Sequence, residues 1–276
     1  MAEFLRMNRS VIDTRQVRLH FSNHAEEYDR YAVVQKKVVV NLLDLLRSCG
    51  PISGPVLEVG CGTGTLSRQI YTLIPALPLM VSDIAHGMTR HAARSVPGVA
   101  AVDADAQDLP FRESGFGLVL SSSVYQWMND LPRAFAEGAR VLAPGGRFAF
   151  ALFGEGTLYE LRESHRLALE ETGGGRPSHA QDFPSSEEVR SALVAAGFEG
   201  VLVRSVYEVE RHPGVEILLR HLKRIGAQNA AGRRPPGLGS RRVMERMIQI
   251  YRERYGGEEN IPATYEVIYG IGRKPA

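Results

Sequence analysis

The sequence is short of the features that mark several protein classes. It carries two cysteines, Cys49 and Cys61, and one tryptophan, Trp127. Two such thiols make neither a disulfide framework nor a metal-ligand set, so both are expected to be reduced and no metal is expected. No run of eighteen apolar residues occurs, so no membrane helix and no membrane partner are expected. Met1 to Ser10 lacks the apolar centre of a signal peptide, and a cytoplasmic location is the expectation. A net charge of only +2 argues against wholesale nucleic-acid binding. There is no internal repeat and no long low-complexity segment. A monomer is expected.

What is present is average in bulk and regular in order. The 276 residues are 44% hydrophobic and 23% charged, which suits one large α/β domain with additions. The first fifty residues read as helical, because Val34, Val38, Leu42, Leu45 and Leu46 recur at helical spacing. After Gly50-Pro51 and Gly54-Pro55 the pattern alternates. Strands are predicted at Val56–Gly60, Leu79–Asp83, Val99–Ala104, Phe116–Ser121 and Arg147–Phe153. Helices are predicted at Gly64–Leu73, His86–Ser95 and Leu131–Leu142, the last stopping at Pro144-Gly145-Gly146. Such alternation implies a parallel sheet with helices on both faces.

The second half is less regular. A helical stretch from Thr157 to Glu171 ends in glycines. Ser185 to Glu188 starts a helix for which Gly197 is the expected stop. Val201–Val209 and Thr264–Gly272 read as strands. Gly214 to Tyr255 reads as a helical insertion over one end of the sheet, interrupted around Arg233 to Gly239.

In a doubly wound sheet, ligands bind beyond the carboxyl ends of the strands, near the switch point of the winding. Gly60, Gly62 and Gly64 follow the first strand with spacing G-x-G-x-G, while Thr65 stands where a dinucleotide fingerprint wants its third glycine. Alone, such a loop can also be a tight strand-to-helix turn. Asp83 closes the second strand, where a carboxylate can accept both hydroxyls of a ribose or cap the next helix. Asp105 closes the third, where it can accept from an adenine amine while the next amide donates to the ring, or simply sit in a solvated turn.

The set from Val56 to Gly64, with Asp83 and the stretch Asp105 to Phe111, resembles the motifs of Rossmann-like S-adenosylmethionine-dependent methyltransferases. The resemblance implies a seven-stranded, mostly parallel sheet, whose last strand runs antiparallel between the fifth and sixth. It implies the cofactor S-adenosylmethionine. Gly60, Cys61 and Gly62 would pass along its methionine part, and Glu58 would order the loop and the amino group. Asp83 with Ile84 would hold the ribose, Asp105 with Ala106 the adenine, and Ser121 would lie beside the methionine.

A closer resemblance spans nearly the whole chain. Phe21 to Tyr28 with Ala32 and Gln35, Val124 to Trp127, Gly156 to Leu161, Leu222 to Ala227 and Ile261 to Tyr265 are similar to segments of the malonyl-acyl-carrier-protein O-methyltransferases of biotin synthesis. The implied reaction methylates the free carboxylate of malonyl-acyl-carrier protein, giving the ester that starts pimeloyl synthesis. A carboxylate with a pKa of about 4 is already ionised at neutral pH, so no catalytic general base is expected. Tyr28 would cover the cofactor. Tyr125 and Trp127 are candidates for substrate contact, and Tyr125 departs from the smaller residue expected there. Residues 1–50 would form a helical cover, and residues 51–276 the methyltransferase domain, with a helical lid at about 213–258.

From Arg211 to Arg254 there are eleven basic residues and three acids, a local excess of eight against +2 overall. This suits docking of an acidic carrier protein, with Arg220, Lys223 and Arg224 as first candidates, or a solvated helical lid. Three other readings stand beside it. They are a methyltransferase of the same fold acting on a small acid or a ring, a regulatory protein that holds the cofactor without catalysis, and a NAD oxidoreductase.

Overall fold

The computed structural model describes residues 11–173, 182–227 and 239–276. It begins with α1 (Thr14–Tyr31), whose N-cap Asp13 accepts hydrogen bonds from the backbone of Arg15 and Gln16. The chain breaks at Ala32 and continues as α2 (Val33–Arg47). The spacing seen in the sequence becomes its buried face: Val34, Val38, Val39, Leu42, Leu43 and Leu46.

The alternating part is β1 (Val56–Val59), α3 (Thr65–Leu73), β2 (Leu79–Asp83), α4 (His86–Ser95), β3 (Ala100–Asp103), β4 (Phe116–Ser122), α5 (Leu131–Val141) and β5 (Leu142–Phe153). Then come α6 (Tyr159–Glu171), α7 (Ser186–Ala195), β6 (Glu199–His212), α8 (Val215–Arg224), α9 (Gly239–Tyr255) and β7 (Ile261–Arg273). The sheet order is β3-β2-β1-β4-β5-β7-β6. Strands β1 to β5 pair in parallel, and β7 pairs antiparallel with both β5 and β6. The winding reverses between β1 and β4, which opens a crevice at their carboxyl ends.

Three strands differ most from the sequence reading. Strand β5 starts at Leu142, because α5 runs straight into it and the glycine pair is absorbed as a shift of register between Phe116↔Leu142 and Leu118↔Arg147. Strands β6 and β7 are both longer than their apolar alternation suggested. They pair with each other as far as His212↔Ile261, while β5 stops pairing with β7 at Phe153↔Val267. The two-stranded extension carries polar residues such as Glu208, Glu210 and Arg211 on one strand, which hid its strand character.

The insertion covers this extension, beyond the carboxyl end of β5. Val215 and Leu218 of α8 and Met247, Ile250 and Tyr251 of α9 are buried in one cluster with Ile261, Ala263 and Tyr265 of β7. Tyr251 donates to the Pro262 carbonyl at 2.6 Å. Most of the interruption expected around Arg233 to Gly239 lies outside the described residues. On the opposite face of the sheet, Phe135, Phe148, Phe150 and Leu193 form a second buried cluster. No helix among the described residues is long and apolar enough to cross a membrane.

Candidate active site

An open cleft lies at the carboxyl ends of β1 to β4, under α1 and the start of α2. Its floor is the glycine loop between β1 and α3. Gly60 has φ +72°, and a Cβ there would sit 2.1 Å from a methyl of Val124. Only glycine lets the loop pass beneath the β4 end. Gly62 has φ +52° and a Cβ there would meet nothing within 4 Å, so its backbone is open to a ligand. The loop is tied down by Gly60 N and Cys61 N donating to the Ser82 carbonyl at 2.7 and 2.9 Å.

Acids surround this floor. Asp83 accepts from Gly62 N at 3.0 Å and from Ala85 N at 2.9 Å. Burial pushes its pKa up to about 6, against the pull of those amides. Glu58 is 2% exposed and accepts a short hydrogen bond from the Ser67 hydroxyl. Burial takes its pKa to about 8 despite that donor, with the Asp83 charge adding to the rise. Asp105 accepts from Gln107 N at 2.9 Å and lines the cleft with Ala104 and Ala106. Cys61 and Ile84 also line it, and burial holds the Cys61 thiol protonated.

The roof is α1. Asp29 accepts from Thr63 Oγ1 at 2.5 Å and lies 3.4 Å from Arg68 Nη2. The Lys36 ammonium donates to the Asp29 carbonyl. The helix passes so close to α4 that a Cβ on Gly87 would stand 2.5 Å from the Ser22 carbonyl. Tyr28 hangs into the cleft, and burial, then the charges of Asp83 and Asp29, keep its phenol protonated. Phe21 packs edge-on against Trp127, ring centroids 5.5 Å apart.

A second cavity of about 500 Å³ adjoins the first and shares Phe21, Tyr28, Gln35, Ser123 and Trp127 with it. Its farther wall is apolar: Phe153, Phe183, Leu222, Ile225 and Tyr265. Leu222 and Ile225 come from α8 and the residue after it, while Arg220, Lys223 and Arg224 are exposed and line neither cavity. Arg224 pairs with Glu27 of α1 at 2.5 Å.

Two sequence candidates need correction. Ser121 is fully buried and absent from the cleft wall; Ser122 and Ser123 line it instead. The strand runs one residue further than its apolar run, and alternation then turns Ser121 into the sheet. Tyr125 lines neither cavity. It is 1% exposed, in edge contact with Phe135, Phe148 and Phe150. Residues Tyr125–Trp127 form a 3₁₀ turn, in which successive side chains point about 120° apart, so Trp127 reaches the cavities and Tyr125 the core. Sequence reasoning marked the run Ser121-Ser122-Ser123 but chose its first member, and it missed Asp29. Asp29 directly follows the quoted segment ending at Tyr28, but its partners Thr63 and Arg68 are brought to it only by the fold.

The donor set suits S-adenosylmethionine: carboxylates for a ribose diol, an amine and an ammonium, and an open backbone at Gly62. The Ser122 and Ser123 hydroxyls, buried in the cleft wall, have no hydrogen-bond partner among the described residues.

Comparison with known proteins gives the same direction. Residues 57–150 match the family model described as a methyltransferase domain. A structure of a putative methyltransferase from Bacillus halodurans superposes with TM-score 0.60 at 16% identity, covering 86% of this chain and 99% of that one. A phosphoethanolamine N-methyltransferase from Haemonchus contortus, solved with S-adenosyl-L-methionine, superposes with TM-score 0.54 at 20% identity, over 86% of this chain and 52% of that one. Both likenesses show the fold. The malonyl-[acyl-carrier protein] O-methyltransferase of Geobacter sulfurreducens is 47% identical over 268 residues, 96% of this chain and all of that protein. With that identity over both full lengths, on this fold and around this cleft, the chain belongs to the malonyl-[acyl-carrier protein] O-methyltransferase family.

Proposed function

We propose that this chain transfers the methyl group of S-adenosylmethionine to the free carboxylate of malonyl-acyl-carrier protein. The observation that carries the reading is the pair of adjoining cavities. One is ringed by acids over an open glycine loop, and the other is apolar and walled by a helix whose outer side is basic. The first suits a cationic nucleoside cofactor, and the second suits a thioester arm reaching in from a carrier.

When bound, the cofactor supplies an electrophilic methyl on a sulfonium. Asp83 and Ile84 would hold its ribose, Asp105 and Ala106 its adenine, and Glu58 with Gly60, Cys61 and Gly62 its methionine part. Tyr28, Phe21 and Trp127 stand at the passage between the cavities and would exclude water there. That matters because the acceptor carboxylate is ionised at neutral pH but blunted by hydration. No proton needs to move. Alignment of the two reactants can contribute about 7–11 kcal/mol to rate. Residues 14–47 and the α8–α9 insertion would act as covers, and the exposed Arg220 and Lys223 would receive the acidic carrier.

The test is methyl transfer from labelled cofactor to malonyl-acyl-carrier protein, followed by mild base. Label released as methanol is the expected result, since a methyl ester hydrolyses. A base-stable label, or equal transfer to free dicarboxylic acids, would refute the assignment.

A further inference from the structure

Outside the cleft, three side chains converge where the end of β6 meets α8. Glu210 and His212 are two apart on β6 and so share one face of the strand. His221 comes from α8, one turn after the buried Leu218. Their ligand atoms all lie within 4.8 Å of one another. Glu210 Oε2 is 3.5 Å from His212 Nε2. The two imidazoles stand 5.3 Å apart between centroids, at 73°. His212 is 2% exposed, yet its Nε2 makes no hydrogen bond among the described residues. A buried polar atom left without a partner is costly, and this one faces the Glu210 carboxylate and the His221 ring.

We propose that Glu210, His212 and His221 form a site for a divalent transition-metal cation, with zinc(II) the best match. Two imidazole nitrogens and one carboxylate suit zinc, whereas calcium and magnesium want an all-oxygen shell. Zinc bonds to nitrogen and oxygen are about 2.0–2.2 Å, which puts tetrahedral ligand atoms about 3.4 Å apart, so a pair at the 4.8 Å limit must close by about 1.4 Å on capture. Three protein ligands leave a fourth position for solvent. None of the three residues lines either cavity. The ion therefore acts as a cross-link that pins α8 to β6. The sequence expectation of no metal rested on cysteine spacing; these histidines meet only because a strand and a helix are packed together.

The test is calorimetric titration of the chelator-treated full chain with zinc chloride. His221→Ala and Glu210→Gln are compared with His91→Ala, a change on α4 outside the cluster. One tight zinc per chain is expected, weakened 100-fold or more by His221→Ala and about tenfold by Glu210→Gln, and unaffected by His91→Ala. Amide exchange over residues 215–224 in the unmutated protein should slow when zinc is added, a reading that does not depend on any variant folding. Zinc uptake that His221→Ala leaves intact, no uptake at all, or unchanged exchange in α8 would overturn the site.

Discussion

Glu58 and Asp83 lie on adjacent strands, with Glu58 paired to Val81, and burial raises both pKa values. Glu58 goes from the ordinary 4.5 to about 8. The folded chain therefore keeps a proton that the unfolded chain releases, and stability falls as pH rises through that window. Glu58→Gln removes this loss. It should gain stability over the parent between pH 5 and pH 8 by about 1–3 kcal/mol, measured by urea unfolding at both values. A gain independent of pH would mean that Glu58 is ionised in the folded protein. At this scale the sequence was readable wherever chemistry is local. The glycine spacing and the acids at strand ends needed no tertiary knowledge. Ser121 was misplaced because three consecutive serines carry no mark of which one ends the strand, and Tyr125 because a 3₁₀ turn cannot be told from a loop by composition.

At the scale of elements, α1 packs against α4 and is tied to the cleft floor by one polar cluster. Asp29 joins it to the glycine loop through Thr63 and to α3 through Arg68. The ion pair is over a third exposed on both sides and is worth little. The charged hydrogen bond from Thr63 is the stronger tie, at about 1.5 kcal/mol. Asp29→Ala should therefore weaken S-adenosylhomocysteine binding roughly tenfold and speed proteolytic cleavage within residues 14–31. Unchanged affinity and cleavage would show that the packing of Phe21 and Ser22 holds the helix by itself. Helix α2 was legible from its apolar spacing, and α1 only as part of a first fifty residues read as helical. That α1 crosses the cleft came only from the resemblance, because the contact is between residues far apart in the chain.

At the scale of the molecule, α8 has two unlike sides. Leu218 and Leu222 face inward, and Arg220 and Lys223 face solvent. Arg224 is engaged with Glu27, so reversing it would also set two acids against each other. The cleaner change is Arg220→Glu with Lys223→Glu. It should raise KM for malonyl-acyl-carrier protein about tenfold, in a salt-sensitive way, and alter KM for a short malonyl thioester less than about twofold. Equal changes for both substrates would remove the docking role. Two members of the basic stretch, Arg233 and Arg234, lie outside the described residues.

The sequence by itself determined the order of strands and helices, the glycine loop, and the acids at the ends of β2 and β3. Each of these follows from periodicity or from residues that are neighbours in the chain. Tertiary structure alone decided which residues tie α1 over the cleft, that a second apolar cavity opens between Trp127 and α8, and that Glu210, His212 and His221 meet. Those features depend on side chains from separate elements facing one another, and the direction in which an element packs is not written in its own period.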